Sequence, residues 1–255
     1  MERISAYTRF PFAVTVYPQV TSTNTLLREA AENGAPEGTV IVAESQTAGR
    51  GRRGHSFWSP GATGVYLSVL LRPMLPIEAI LPLLTPAAAV AAARAVEAVA
   101  NRRADIKWVN DIYCDNKKVC GILTEGRPDA QTDRLQYAVV GVGINVLPPE
   151  NGFPEEIRDR AGAVLTAPIE HARERLAAAF LNEFWALYKA MPTGSFHEEY
   201  RERCLRLTRS VTVPQGEQTV AAEIVDITER FELRVRLADG TMRDLNAGDV
   251  SVNLA

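Results

Sequence analysis

A glycine- and arginine-rich segment, QTAGRGRRGHSFWSPGATG at residues 46–64, carries the residue types best suited to hold an anion. Glycines let a ligand approach the backbone N–H groups and guanidinium groups add dense positive charge, so this composition suits a phosphate. The segment lacks the GxxxxGK[ST] pattern of a P-loop, and no GxGxxG run opens a helix here as in a Rossmann fingerprint. A solvated hairpin tip would have the same charge. The adjacent Phe57 and Trp58 favour a ring-bearing ligand such as a nucleobase, because aromatic faces can stack on it. The positive charge of the segment comes from Arg50, Arg52 and Arg53.

A second segment, KWVNDIYCDNKKVCGILTE at residues 107–125, combines lysines with a carboxylate. In an extended strand Lys107 and Asp111 would project from the same face, because side chains alternate between faces. Asp111 could then orient the lysine or help to hold a magnesium ion carried by phosphates, although a surface ion pair fits the same spacing. Lys118 opens the next strand, where it could reach a site at the end of the sheet or serve only as a solubilising edge residue.

A third segment, GVGINV at residues 141–146, places Asn145 in an otherwise apolar strand. A buried amide must find hydrogen-bond partners, which a ligand amide, an adenine edge or a neighbouring backbone could supply. Gly141 and Gly143 would let a ligand or another chain segment approach closely.

Helices and strands must position these three segments. Helices are predicted at 22–34, 86–103 and 172–190, and strands at 38–45, 64–72, 105–114, 118–126 and 136–147. The second helix is expected to begin at Pro86, and its alanines predict close packing against a sheet. Residues 148–164 are rich in proline, glycine and charge, which predicts a mobile loop. Short alternating strands after Cys204, the last of them DVSVN at 249–253, predict a small all-β module docked on the first domain.

Composition limits the class of protein. The 255 residues are 46% hydrophobic and 23% charged, which is typical of a soluble globular protein with one large and one small domain. The net charge of −3 argues against a general nucleic-acid binder. The sequence has no apolar run of about 20 residues and no signal-peptide core, so we predict a cytoplasmic protein without a membrane partner. Three cysteines are too few and too unevenly spaced for a disulfide framework or a zinc site and are expected to be buried: Cys114, Cys120 and Cys204.

The blocks STN, QTAGRGRRG, SP, KWVND, KVCGILTE and GVGINV, in this order, resemble those of biotin protein ligases. The resemblance runs from about residue 20 to the C-terminus. It implies an α+β fold, with a mixed β-sheet catalytic domain flanked by helices over 1–205 and an SH3-like all-β barrel over 206–255. It also implies a two-step reaction. ATP with Mg²⁺ activates biotin as biotinyl-5′-AMP, which then acylates a lysine of a biotin carboxyl carrier protein.

The resemblance assigns roles to individual residues. Arg52 and Lys118 are expected to be catalytic, Arg52 by stabilising the adenylate and Lys118 by touching both biotin and the phosphoryl group. The expected biotin contacts are Ser22, Thr23, Asn24, Gln46, Arg50, Gly51, Arg52 and Lys118. The expected nucleotide contacts are Arg50, Arg52, Arg53, Phe57, Trp58, Lys107, Asn110, Asp111, Lys118 and Asn145. No protein metal site is expected, and the matching blocks assign no role to His55, His171 or His197.

The sequence departs from the family pattern at Val109, where proline is usual, and at Phe57, where tryptophan is common. Either Phe57 or Trp58 could therefore stack on adenine. Only about 20 residues precede the first block, so we expect neither a helix-turn-helix domain nor specific DNA binding. A lipoate or octanoate ligase or transferase and a non-catalytic nucleotide-binding module are the alternatives. The resemblance also allows a homodimer, and we expect the arginine-rich loop to be mobile until ligand binds.

Overall fold

The computed structural model describes residues 1, 3–191, 196–207, 210–215 and 218–246. Its helices are α1 (Ile4–Tyr7), α2 (Thr23–Glu32), α3 (Ile77–Ala100), α4 (Ala172–Lys189) and α5 (His197–Leu207). The first seven strands are β1 (Ala13–Tyr17), β2 (Thr39–Ala43), β3 (Gly64–Leu71), β4 (Asp105–Lys107), β5 (Asp111–Cys114), β6 (Lys117–Pro128) and β7 (Leu135–Asn145). The remaining strands are β8 (Ser210–Gln215), β9 (Gln218–Ile227), β10 (Leu233–Leu237) and β11 (Met242–Leu245).

Strands β1 to β7 form one mixed sheet in the order β1-β2-β3-β7-β6-β5-β4. β1 and β2 are parallel, and the other neighbouring strands are antiparallel. The central strand β3 is buried along its whole length, as expected where helices cover both faces of a sheet. The predicted mixed sheet with flanking helices is confirmed.

The two faces of the sheet are covered by different helices. α3 and α4 pack on one face, where Val40 and Val69 belong to the main core. α2 covers the other face, where its Leu27 packs with Ile41 and Leu70. This division follows from the alternation of side chains along each strand. The polar residues at the start of α2 are thereby brought over the second face.

Helix α3 begins earlier than predicted. It starts at Ile77 instead of Pro86, so that Pro82 and Pro86 both lie inside the helix. Prolines remove backbone hydrogen bonds, but the burial of an alanine-rich surface outweighs this cost. Among the described residues, α3 is the one helix long and apolar enough to cross a membrane by length and composition, and 67% of that stretch is buried inside the protein.

The strand predicted at 105–114 is a hairpin instead. β4 and β5 are separated by a turn at 108–110 and pair antiparallel, with Lys107 directly opposite Asp111. The two side chains are therefore neighbours across two strands, not along one face of a single strand. The turn residues Trp, Val and Asn include no glycine or proline that would have indicated a reversal.

A small all-β module follows α5, as predicted. Its strands form a four-stranded antiparallel sheet in the order β11-β10-β9-β8, while the strand predicted at 249–253 lies outside the described residues. The carbonyl of Phe231 accepts the Trp108 indole N–H at 2.9 Å, and the Phe231 ring packs 5.3 Å from that of Tyr200. The module is thus docked on the first domain. The predicted boundary at 205/206 falls within α5 and stays a prediction.

Candidate functional site

A cavity of about 510 Å³ opens on the α2 face of the sheet, beside the start of β6 and the end of β7. Its wall contains every residue predicted to contact biotin or the nucleotide, although their contacts with ligand stay predictions. These residues are Ser22, Thr23, Asn24, Gln46, Arg50, Gly51, Arg52, Arg53, Phe57, Trp58, Lys107, Asn110, Asp111, Lys118 and Asn145.

Glycines in the central strands make room for this cavity. A Cβ atom on Gly141 would lie 2.0 Å from Asn24 Oδ1, and one on Gly143 would lie 2.5 Å from the Phe57 ring. A Cβ on Gly121 would come within 3.2 Å of the same ring. A side chain at these positions would displace groups that line the cavity, so the sequence needs glycine there for close approach.

We expect Gly141→Ala to lower the free energy of unfolding by about 1–3 kcal/mol, because the added methyl group overlaps the buried Asn24 side chain. Gly61→Ala is the matched control, since a Cβ on Gly61 would meet no heavy atom within 4 Å. Urea denaturation followed by tryptophan fluorescence measures both variants. Equal losses of stability in the two variants would contradict this role for Gly141.

The start of α2 forms an uncharged polar part of the wall. The buried Ser68 hydroxyl lies 2.8 Å from Thr23 Oγ1 and 2.6 Å from Asn24 Oδ1. Ser22 occupies the N-cap position but makes no side-chain capping hydrogen bond. The Thr23 N–H instead donates to Gln46 Oε1 at 2.8 Å, so a residue of the arginine-rich loop caps the helix. This linkage places Gln46 beside α2 and creates a surface for a neutral polar ligand group.

Glu125 connects α2 to the arginine-rich loop. Its carboxylate accepts a hydrogen bond from Asn24 Nδ2 at 2.9 Å and lies 3.1 Å from Arg50 Nη1. Arg28 of α2 approaches the same carboxylate at 3.4 Å. The positive charge of Arg50 is thus partly neutralised by the protein itself. Sequence reasoning included Glu125 in the block KVCGILTE but assigned it no role, since nothing in its neighbourhood along the chain indicates these contacts.

Asp111 has one engaged and one unengaged carboxylate oxygen. Oδ2 lies 2.7 Å from Lys118 Nζ, whereas Oδ1 is buried without a hydrogen-bond partner among the described residues. A buried carboxylate oxygen without a partner is costly, so a cation or a donor in the cavity would stabilise it. Carboxylate oxygens are the ligands that Mg²⁺ prefers, usually together with water and substrate phosphates. Within the described ranges no three His, Cys, Asp or Glu residues cluster as a metal cage.

Lys107 lies in a region with excess positive charge. Burial lowers its pKa, and the cations of Lys118 and Arg160 lower it further against the opposing charge of Asp111. Its Nζ lies 5.7 Å from the centre of the Tyr113 ring. An anion bound here would relieve the repulsion among these cations.

Arg52 reaches across the cavity from a short 3₁₀ turn at Arg52–Gly54. Its Nη1 donates to Asn110 Oδ1 at 3.3 Å, and Asn110 Nδ2 in turn donates to the carbonyl of Ile122 at 2.8 Å. Burial and the neighbouring Arg53 lower the pKa of Arg52. Even so, an arginine remains charged near neutral pH. This hydrogen bond therefore holds the positive guanidinium over the cavity, and the predicted mobility of the loop before ligand binding stays a prediction.

The two adjacent aromatic residues occupy different depths. Phe57 lies against the glycines of the sheet and meets Tyr66 edge-on, with ring centres 6.4 Å apart. Trp58 is 37% exposed, and its ring centre lies 5.9 Å from that of Phe153. Phe57 forms part of the cavity floor, whereas Trp58 and Phe153 form a pair at its rim.

Residues 148–164 contribute to the wall, which sequence reasoning did not foresee. Their cavity-lining members are Glu156, Ile157, Arg160 and Ala161. Asn145 Nδ2 donates a hydrogen bond to the Gly162 carbonyl of this segment at 3.0 Å. Of the partners considered for the Asn145 amide, the structure thus shows a neighbouring backbone group. The predicted mobility of the segment stays a prediction. Other cavity-lining residues outside the predicted set are His55, Ser56, Trp108, Tyr113, Gly121, Ile122, Leu123, Gly141, Val142 and Gly143.

Comparison with known proteins gives two matching family models. The biotin/lipoate A/B protein ligase family matches residues 16–145, and the biotin protein ligase C terminal domain matches residues 208–252. The bifunctional ligase/repressor BirA of Bacillus spizizenii is 43% identical over 148 residues, which cover 58% of this chain and 45% of that relative. The chain thus aligns with less than half of the length of this relative.

Two further matches extend over nearly the whole chain. The biotin–[acetyl-CoA-carboxylase] ligase of Mycobacterium tuberculosis is 31% identical over 244 residues, covering 92% of this chain and 87% of the relative. The structure of biotin protein ligase from Aquifex aeolicus in complex with biotin and ATP has a TM-score of 0.74 and 26% identity. That match covers 96% of this chain and 100% of the Aquifex chain. The likeness confirms the predicted SH3-like character of the C-terminal module.

Proposed function

This chain belongs to the biotin/lipoate A/B protein ligase family, and from that premise we propose that it is an ATP-dependent biotin protein ligase. It activates biotin as biotinyl-5′-AMP and transfers the biotinyl group to a lysine of a biotin carboxyl carrier protein in the cytoplasm. The cavity supports this proposal, because its wall contains both the uncharged groups expected to contact biotin and the cations expected to contact a nucleotide.

In the first step, a carboxylate oxygen of biotin attacks the α-phosphorus of ATP. The bond from that phosphorus to the α–β bridging oxygen breaks, and pyrophosphate leaves with the electron pair. No proton moves, so the protein needs to supply position and positive charge in place of a base. Lys118, held by Asp111 at 2.7 Å, and the Arg52 guanidinium, hydrogen-bonded to Asn110, are suited to stabilise the phosphoryl oxygens.

Mg²⁺ fits this site through the unengaged Oδ1 of Asp111. When bound with ATP, the ion would neutralise charge on the phosphate oxygens. Asp111 would hold it while keeping Lys118 in place through its other oxygen.

In the second step, the amine of the acceptor lysine attacks the carbonyl carbon of the mixed anhydride. The carbon–oxygen bond to the phosphate breaks, AMP leaves with the electron pair, and the nitrogen loses a proton as the amide forms. The adenylate must stay bound until the acceptor arrives. Arg52 is the cation that would retain its α-phosphate and limit its escape.

We expect Arg52→Gly to release biotinyl-AMP about 10–100 times faster, because a hydrogen bond to a charged group contributes about 1.5–3 kcal/mol. The escaped anhydride would then acylate exposed lysines of unrelated proteins. Biotin incorporated into serum albumin measures this effect, with Arg158→Gly as the control because Arg158 lies outside the cavity wall. Albumin labelling at the wild-type level in Arg52→Gly would contradict the retaining role.

A single assay tests the substrate assignment. Purified protein is incubated with ATP, a carrier-protein acceptor domain and either radiolabelled biotin or radiolabelled lipoate. Incorporation of biotin into the acceptor is the expected result. Preferential incorporation of lipoate would identify a lipoate ligase, and binding of nucleotide without any incorporation would identify a non-catalytic module.

A further inference from the structure

The segment after β7 brings an additional cation to the cavity, Arg160. Its backbone is tied to that of Lys118. The Lys118 N–H donates to the Arg160 carbonyl at 2.7 Å, and the Gly162 N–H donates to the Lys118 carbonyl at 2.8 Å. The fold therefore fixes Arg160 beside the lysine expected to contact the reacting phosphate.

Arg160 and Lys107 differ from the other cations of the wall in their partners. Arg50 pairs with Glu125 at 3.1 Å, and Lys118 pairs with Asp111 at 2.7 Å. Across the part of the chain that the structure describes, neither Arg160 nor Lys107 forms an ion pair with a carboxylate. The charges of these two cavity-lining side chains are therefore not compensated by such a pair.

Arg160 and Lys107 interact electrostatically with each other. The charge of Arg160 adds to burial in lowering the pKa of Lys107. Lys107 lies opposite Asp111 in the β4–β5 hairpin, and the Asp111 carboxylate lies 2.7 Å from Lys118 Nζ. The Lys118 backbone is hydrogen-bonded to that of Arg160, so Lys107 and Arg160 both lie beside Lys118. A multiply charged anion between Arg160 and Lys107 would relieve their mutual repulsion.

We propose that Arg160 and Lys107 form the subsite for the β- and γ-phosphates of ATP, an assignment that rests on the proposed ligase function. With the α-phosphate at Lys118 and Arg52, these two cations of the same cavity wall are available to receive the rest of the triphosphate. When the bond from the α-phosphorus to the bridging oxygen breaks, that oxygen keeps the electron pair and the departing pyrophosphate gains negative charge. Arg160 therefore stabilises the leaving group more strongly in the transition state than in bound ATP.

This assignment separates the two steps of the reaction. The adenylate has lost its β- and γ-phosphates, so Arg160 has no group to contact during transfer to the acceptor. Arg160→Gln should raise KM for ATP and lower kcat for adenylation, reducing kcat/KM by about 10-fold or more. Transfer from added biotinyl-AMP should proceed at the wild-type rate. Arg160→Lys should recover part of the loss, because it keeps the charge but lacks the two-pronged geometry of a guanidinium.

The experiment compares wild type, Arg160→Gln, Arg160→Lys and Arg158→Gln. Arg158 is the matched control, since it lies two residues away, pairs with Glu155 at 3.5 Å and is absent from the cavity wall. Biotin-dependent pyrophosphate exchange reports the first step, and single-turnover transfer from added biotinyl-AMP reports the second. Equal losses in both steps, or no loss in exchange, would overturn the assignment.

Calorimetric titration keeps the test independent of catalysis. Inorganic pyrophosphate should bind about 10-fold more weakly to Arg160→Gln than to wild type, while binding of AMP stays unchanged. If wild type catalyses no biotin-dependent exchange, the proposed ligase function fails, and the titration still decides whether Arg160 binds the pyrophosphate group. Unchanged pyrophosphate binding in Arg160→Gln would refute the subsite.

Discussion

Replacement of Lys118 by alanine is expected to slow formation of biotinyl-AMP by about 10²–10³-fold, the usual cost of removing one preorganised electrostatic contact to a transition state. Lys118 Nζ is held 2.7 Å from Asp111, so the folded protein has already oriented the ammonium group before ATP binds. Water that enters the truncated site would not replace a fixed positive charge. Biotin-dependent pyrophosphate release in a single turnover measures the effect.

Two further variants test whether the effect is specific to Lys118 and its partner Asp111. Lys117→Ala is the control, because Lys117 precedes it in β6 but lies outside the cavity wall and donates to the Asp159 carbonyl. Asp111→Asn should also slow the first step, since it removes both the carboxylate that orients Lys118 and the proposed Mg²⁺ ligand. Pyrophosphate release at the wild-type rate in Lys118→Ala would rule out its role in the first step.

The sequence predicted the parts of the fold that depend on local pattern. The apolar strand at 136–147 and the helix at 172–190 are present as β7 and α4, because their burial follows directly from residue type and spacing. The start of α3 was missed because Pro82 and Pro86 normally mark a boundary, and only packing of the complete domain keeps them inside a helix.

The site could be predicted only as far as its residues lie in recognisable blocks. The structure brings the residues named from those blocks into one cavity. Glu125, although it ends the KVCGILTE block, and Arg160 were not predicted for a physical reason: their relevance comes from contacts to Arg50 and Lys118, which are distant in the chain and depend on how the sheet and the 148–164 segment fold together. A charged residue with no local pattern gives no such signal.

A buried arginine, Arg203, joins helices α3 and α5. Arg203 of α5 has a side chain only 8% exposed, and it lies 2.8 Å from carboxylate oxygens of both Glu97 and Glu199. Its Nη1 also donates to the carbonyl of Ala104 at 2.6 Å, just before β4. Burial alone would lower the pKa of Arg203, but the hydrogen bonds to Glu97 and Glu199 outweigh burial and raise that pKa.

Arg203→Met is expected to lower the free energy of unfolding by about 2–3 kcal/mol, because it keeps the apolar volume but leaves Glu97 and Glu199 without this partner. A fully buried pair would cost about 3–5 kcal/mol, and solvent screening reduces the effect here, since the side chains of Glu97 and Glu199 are 34% and 28% exposed. Arg206→Met is the matched control on α5, with a side chain 36% exposed that pairs with Asp105. Urea denaturation at neutral pH measures both variants, and equal losses would contradict the larger role of Arg203.

The dependence of this loss on pH identifies its cause. Hydrogen bonding to Arg203 lowers the pKa of Glu97 below its usual 4.5; for Glu199, burial favours the neutral acid, but Arg94 and Arg203 together still lower the pKa. A carboxyl whose pKa is lowered in the folded state stabilises the protein above its unfolded pKa and loses that contribution as the pH falls through the folded value. The stability gap between wild type and Arg203→Met should therefore be full at pH 7 and shrink as the pH falls below about 4. A gap that stays constant down to pH 3 would show that lost packing, not lost charge pairing, destabilises the variant.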